Sequence, residues 1–134
     1  MELQVGVKIL LKNSEGEYLL LRRAAGKYPD VKDGWDIPGG RINVDYDLFE
    51  NLKREVMEET GLILADEPQL VAAQDIMKPD KHVVRMTYVG ETVGGEVILS
   101  GEHDVFQWFS VANLRNLEGC DKYLAELLEK NLIQ

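Results

Sequence analysis

Between Asp47 and Gly61 the chain carries a segment that reads as a helix from its own spacing. At about 100° per residue, Leu48, Phe49, Leu52 and Val56 fall within one apolar arc. Asp47-Leu48-Phe49-Glu50 has the spacing of a capping box, and Gly61 is a natural stop. The pattern predicts a helix over 48–60. A helix with a single apolar stripe needs a surface to lie on, and the chain on both sides of it is strand-like.

Before the helix, Val5, Val7 and Ile9 alternate with polar or small residues and run into Leu10-Leu11, a first strand. Asn13-Ser14-Glu15-Gly16 is turn chemistry, and Tyr18–Leu21 forms a second strand, so the two make a hairpin. Ala24–Gly34 is a loop, and Trp35–Ile37 a short strand stopped by a turn at Pro38-Gly39-Gly40. After the helix, Leu70–Ile76, Val83–Val93, Glu96–Leu99 and Val105–Phe109 read as strands. Asp121–Asn131 reads as a closing helix on Leu124, Leu127 and Leu128. Strands, helix, strands, helix in one chain of 134 residues predict one domain of the α/β class. There is no internal repeat, linker or low-complexity tract.

Charge excludes several functions. Twenty-four acids against fifteen Lys and Arg leave a formal charge of −9, which offers no general attraction to a nucleic-acid polymer or an anionic membrane. The longest apolar runs are far short of a membrane span, and Met1–Gln4 begins a strand rather than a signal peptide. Cys120 is the sole cysteine, which excludes an internal disulfide and fits a reducing, cytoplasmic setting. A phosphorylated ligand would have to be met locally, by placed Arg or Lys or by cations.

The chemistry concentrates in Arg54-Glu55-Val56-Met57-Glu58-Glu59-Thr60-Gly61. Glu55, Glu58 and Glu59 stand at i, i+3 and i+4 and share one helix face bordering the apolar one. Their mutual repulsion, a few tenths of a kcal/mol per pair when exposed, is relieved by a hard divalent cation. A bare E-x-x-E-E is more often an acidic solvated face. Here the context narrows the reading: Pro38-Gly39-Gly40 precedes the helix and Gly61-Leu62 follows it.

Gly40, Arg54-Glu55-Val56, Glu58-Glu59 and Gly61-Leu62 together resemble the Nudix box, G-x5-E-x7-R-E-U-x-E-E-x-G-U with U aliphatic, here spanning 40–62. Trp35–Gly40 looks like the stretch that leads into the box. The likeness extends over nearly the whole chain, through an early hairpin ending in Arg22-Arg23 and a late Gly101-Glu102-His103 before Trp108. The resemblance implies a single Nudix-type α/β/α sandwich with a mixed β-sheet over 1–134. It implies a MutT-like enzyme hydrolysing a nucleoside diphosphate linked to X, with Mg²⁺ or Mn²⁺ as cofactor. By position, Glu55, Glu58, Glu59 and the Gly39 carbonyl hold the metal. Glu102 is a further ligand or base, and Arg54 orients the glutamates. A related module that binds nucleotide without turnover is the alternative, and the state of assembly, monomer or homodimer, stays open.

One position departs from the pattern. Tyr46 stands where the family has a Glu that braces the motif arginine. Glu50, four residues before Arg54, has the helical spacing to replace it, although a capping box would compete for it. Arg23, Arg41 and Arg85 are candidate phosphate contacts. Trp35, Tyr28 and Phe106 are either base-stacking or packing residues. His82 and His103 read as surface or hydrogen-bonded histidines, and Cys120 as inert. Specificity is expected in the loops at Ala24–Gly34, Met77–Lys81 and Gly101–Asp104.

Overall fold

The computed structural model describes residues 1–23 and 34–134. Its spine is β1 (Glu2–Lys12), which pairs in parallel along its whole length with β6 (Lys81–Glu91). On its other edge β1 meets β2 (Tyr18–Arg23) through Lys12 and Tyr18. Asn13 closes the connection, its Oδ1 accepting from the N–H groups of Glu15 and Glu17 at 3.0 and 2.9 Å. From there the strands part. β3 (Trp35–Asp36) pairs with β2 and β4 (Gly39–Arg41) with β1, so the 35–41 segment fills the opening between them. β5 (Gln69–Met77) lies antiparallel on β6, and β7 (His103–Phe109) antiparallel on β2. The long parallel β1–β6 pairing among antiparallel ones makes the sheet mixed.

Strand alternation then distributes the apolar side chains to two faces. Val7, Ile9 and Leu11 of β1 join Leu19 and Leu21 of β2 under α1 (Leu48–Thr60), against Leu52 and Val56. Leu10 and Leu20 join Ile37 and Phe109 on the other face, under α2 (Val111–Arg115) and α3 (Lys122–Glu129), against Leu114, Leu124 and Leu127. The architecture is α/β/α. Leu52 and Val56 are fully buried, and each contributes roughly 1.5–3 kcal/mol. The capping box forms: Asp47 Oδ1 accepts from the Glu50 N–H at 2.7 Å, and Glu50 Oε1 from the Asp47 N–H at 3.3 Å. Gly61 ends the helix at φ 72°.

The sequence reading and the structure part at three places. Glu96–Leu99 is not a strand. Val97 and Leu99 pack against the α1 core as their alternation requires, but the backbone pairs with the helix end, Ile98 N–H donating to the Thr60 carbonyl at 2.8 Å. Pro38–Gly40 is not a free turn, because Gly39 and Gly40 enter β4. Gly39 sits at φ 142°, and a Cβ there would stand 2.1 Å from the Val7 carbonyl oxygen, so only glycine fits this crossing. α2 has no counterpart in the sequence reading. It is a five-residue helix capped by Ser110, too short for a periodicity to register.

Candidate functional site

The insertion of β4 beside β1 carries the Gly39–Gly40 backbone to the face of α1 that bears the glutamates. The Gly39 N–H donates to Glu59 Oε2 at 3.1 Å. At Gly40, a Cβ would come within 3.0 Å of the Glu55 carboxyl atoms, so the missing side chain is what lets that carboxylate lie against the strand. Glu55 is 12% exposed at its side chain, whereas Glu58 is 59% exposed.

Burial dominates the electrostatics. It pushes the Glu59 carboxyl up to about 7; the Gly39 N–H and the Lys8 ammonium oppose this, while the charges of Glu55 and Glu102 add to it. Burial likewise raises Glu55, partly offset by Arg54 and reinforced by Glu58. Glu102, on the loop entering β7, is therefore within electrostatic reach of Glu59. Its neighbour His103 is held below the usual histidine range by burial and by Arg23.

Arg54 ties the helix face together. Its Nη1 donates to Glu55 Oε1 at 3.1 Å and lies 3.5 Å from Glu58 Oε2. Its Nη2 donates to Asn51 Oδ1 at 2.9 Å and to the Arg41 carbonyl at 3.5 Å. The expected pairing with Glu50 does not form, because the Glu50 carboxylate is engaged by the Asp47 N–H at the start of the helix. Tyr46 points outward, 53% exposed.

The candidate phosphate contacts separate. Arg23 ends β2 opposite His103 in the β7 register, and the exposed Arg41 ends β4, one residue beyond Gly40. Arg85 does not join them. Its side chain is 6% exposed, its Nη2 lies 2.7 Å from Asp121 Oδ2 at the cap of α3, and its guanidinium stands 5.4 Å from the Tyr123 ring centroid. A guanidinium buried this way braces α3 rather than reaching a phosphate. Trp35 packs edge-on against Phe109 at 5.4 Å, so it belongs to the second core, while Phe106 is 41% exposed. His82 pairs with Asp75 at 2.6 Å, and the Cys120 thiol is pushed up to about 11, chiefly by burial and then by Asp121. Tyr28 and all of the 24–34 loop except Gly34 lie outside the described residues.

Three residues of the site escaped the sequence reading. Lys8 reaches Asp36 Oδ2 at 2.9 Å and the Ile37 carbonyl at 3.2 Å, and its charge acts on both Glu55 and Glu59. Burial raises Asp36, but Lys8 and Arg85 outweigh it and hold the carboxyl below its ordinary range. The available signal was a lysine set between the apolar Val7 and Ile9 in a strand. Asn51 is the third, a poor helix former at a fully buried helical position.

The side chains are chemically those that suit a hard divalent cation: carboxylates on one helix face, Glu55 and Glu59 among them desolvated. Among the described residues no three acid, His or Cys side chains already stand together as a cage. Instead Glu59 rests on the Gly39 amide, and Glu55 and Glu58 rest on Arg54. These contacts keep the three carboxylates on one helix face, and their chemistry, rather than a ready-made cage, fits the group that the resemblance implies.

The family model for the NUDIX domain matches residues 2–130, and the chain belongs to that family. A crystal structure of a MutT protein from Methanosarcina mazei Go1 superposes with a TM-score of 0.80 at 30% identity, covering 96% of this chain and 92% of that one. Among curated relatives, the uncharacterized Nudix hydrolase YvcI of Bacillus subtilis is 30% identical over 62% of this chain. An ADP-ribose pyrophosphatase of Methanocaldococcus jannaschii is 28% identical over 77% of it. The matched segments span 55% and 60% of those two relatives' own lengths. The chain is thus a MutT-like member of a family of hydrolases.

Proposed function

We propose that this chain hydrolyses a pyrophosphate bond in a nucleoside diphosphate linked to a further group X, with a nucleoside triphosphate or related small nucleotide as substrate. Glu55, Glu58 and Glu59 with the Gly39 carbonyl would hold Mg²⁺ or Mn²⁺, and Glu102 would add an oxygen or act as base. The cation, when bound, supplies Lewis-acid stabilisation of charge on the phosphoryl oxygens. The protein's own groups do the rest. Arg54 orients Glu55 and Glu58, Glu59 is held at the strand by the Gly39 amide, and Arg23 and Arg41 offer guanidinium contacts to phosphate. The observation that carries this reading is the half-buried Glu59 carboxylate, held against β4 by the Gly39 N–H at 3.1 Å on the helix face it shares with Glu55, where burial also raises its carboxyl. Such desolvation of acids is costly to a fold and concentrates at functional sites. The charge of −9 and the lone thiol support cytoplasmic action on small molecules rather than on polymer or membrane. Among the described residues no helix is long and apolar enough to cross a membrane.

The test is a phosphate-release panel with Mg²⁺ and Mn²⁺ over nucleoside triphosphates, dinucleoside polyphosphates, ADP-ribose and dihydroneopterin triphosphate. Release from at least one class, stopped by chelator and restored by Mg²⁺, is expected. A nucleotide-binding module without turnover is the second reading, motivated by Tyr46. Nucleotide binding with no release from any class would favour it.

A further inference from the structure

Asn51 lies one helical turn before Glu55, and it is fully buried. Its amide is saturated. Oδ1 accepts from the Asn43 N–H at 2.7 Å and from Arg54 Nη2 at 2.9 Å. Nδ2 faces three backbone carbonyls, those of Asp47 at 2.9 Å, Tyr46 at 3.1 Å and Asn43 at 3.4 Å. Two donors on one side and three acceptors on the other fix which way the amide points. Neither an apolar residue nor an acid reproduces that pattern, since one has no polar atoms and the other has no N–H.

We infer that Asn51 is the positioning residue of this site: it fixes Arg54, and through Arg54 the carboxylates of Glu55 and Glu58, in the place that Tyr46 and Glu50 leave unfilled. Two facts make the pairing specific. The Glu50 carboxylate is engaged at the helix cap. Of the remaining Arg54 nitrogens, Nη1 is turned to the two glutamates and Nε is buried with no partner among the described residues, so Nη2 on Asn51 is the guanidinium's anchor to the α1 interior. The same amide also pins the 43–47 segment, so the loop between β4 and α1 and the glutamate face share one fixed point. This inference rests on the proposed hydrolysis for its catalytic consequence, but the Asn51–Arg54 contact itself does not.

The experiment therefore reads both. Asn51→Ala, Asn51→Asp, Arg54→Ala and the double variant Asn51→Ala/Arg54→Ala are compared by guanidinium ¹⁵N NMR and by steady-state kinetics with Mg²⁺. In the wild type, hindered rotation gives separate Arg54 Nη signals, and Asn51→Ala should average them. Asn51→Asp keeps an acceptor for Arg54 and for the Asn43 N–H while losing the donors to the loop carbonyls. It should retain the separate signals and kcat within about threefold, even if less stable. Asn51→Ala should lower kcat about tenfold or more with KM within about twofold, and adding Arg54→Ala should cost little further. Unchanged Arg54 signals in folded Asn51→Ala would overturn the inference. So would an equal loss of kcat in folded Asn51→Asp, since the loop tether would then be what matters. If the wild type releases no phosphate from any substrate, the functional proposal fails while the NMR comparison still decides the contact.

Discussion

Replacing Glu59 by Gln should reverse part of the pH dependence of stability. The ordinary glutamate value of 4.5 rises to about 7 at this position, mainly through burial. A carboxyl whose folded pKa lies above its unfolded one stabilises the fold while protonated. That contribution is complete below about pH 4.5 and is lost as pH rises to about 7. At about 1.4 kcal/mol per unit the full shift corresponds to roughly 3 kcal/mol, and residual solvent access brings the expected loss to roughly 1–3 kcal/mol. Glutamine keeps an acceptor for the Gly39 N–H and does not titrate. Urea denaturation of metal-free protein between pH 4 and 8 should therefore show the variant gaining on the wild type as pH rises, by roughly 1–3 kcal/mol overall. Mg²⁺ at about a hundred times its Kd should return roughly 2.7 kcal/mol to the wild type at pH 8, and less to the variant. A stability difference that stays flat across that pH range would refute the reasoning, because Glu59 would then be solvated in the folded protein.

Glu102→Gln should lower kcat by about a hundredfold if Glu102 serves as base or ligand, and steady-state kinetics at saturating substrate reads it. A change confined to KM would assign the loop to substrate contact alone. Gly39→Ala should cost on the order of 3 kcal/mol or more by thermal or urea denaturation, since its Cβ would meet the Val7 carbonyl at 2.1 Å and the φ of 142° is itself unfavourable. A loss below about 1 kcal/mol would mean that β4 shifts freely, and with it the amide that holds Glu59.

Much of this site was legible in the sequence because helical spacing is a local property. Glu55, Glu58 and Glu59 had to share a face once Leu52 and Val56 were buried, and the caps at Asp47 and Gly61 followed from their residue types. Relations made by the sheet were not legible. That Gly39 is a strand residue threaded beside β1, that Lys8 and Asp36 meet across the split between β1 and β2, and that Arg85 serves α3 all depend on pairings between distant segments. Glu96–Leu99 misled for a related reason, since alternation reports which side chains face inward and not whether the backbone partner is a strand or a helix end. Asn51 carried a signal in its poor helix propensity, but spacing alone favoured Glu50, and only the cap geometry shows that Glu50 is engaged.

The most direct measurement of the central claim is turnover of the best substrate in the phosphate-release panel by the wild type and by Glu59→Gln, each with saturating Mg²⁺. The account predicts a loss of about a hundredfold or more in the variant with its fold intact. Turnover within about tenfold of the wild type, a change of only about 1.4 kcal/mol in the barrier, would contradict the assignment of this glutamate face to the chemistry.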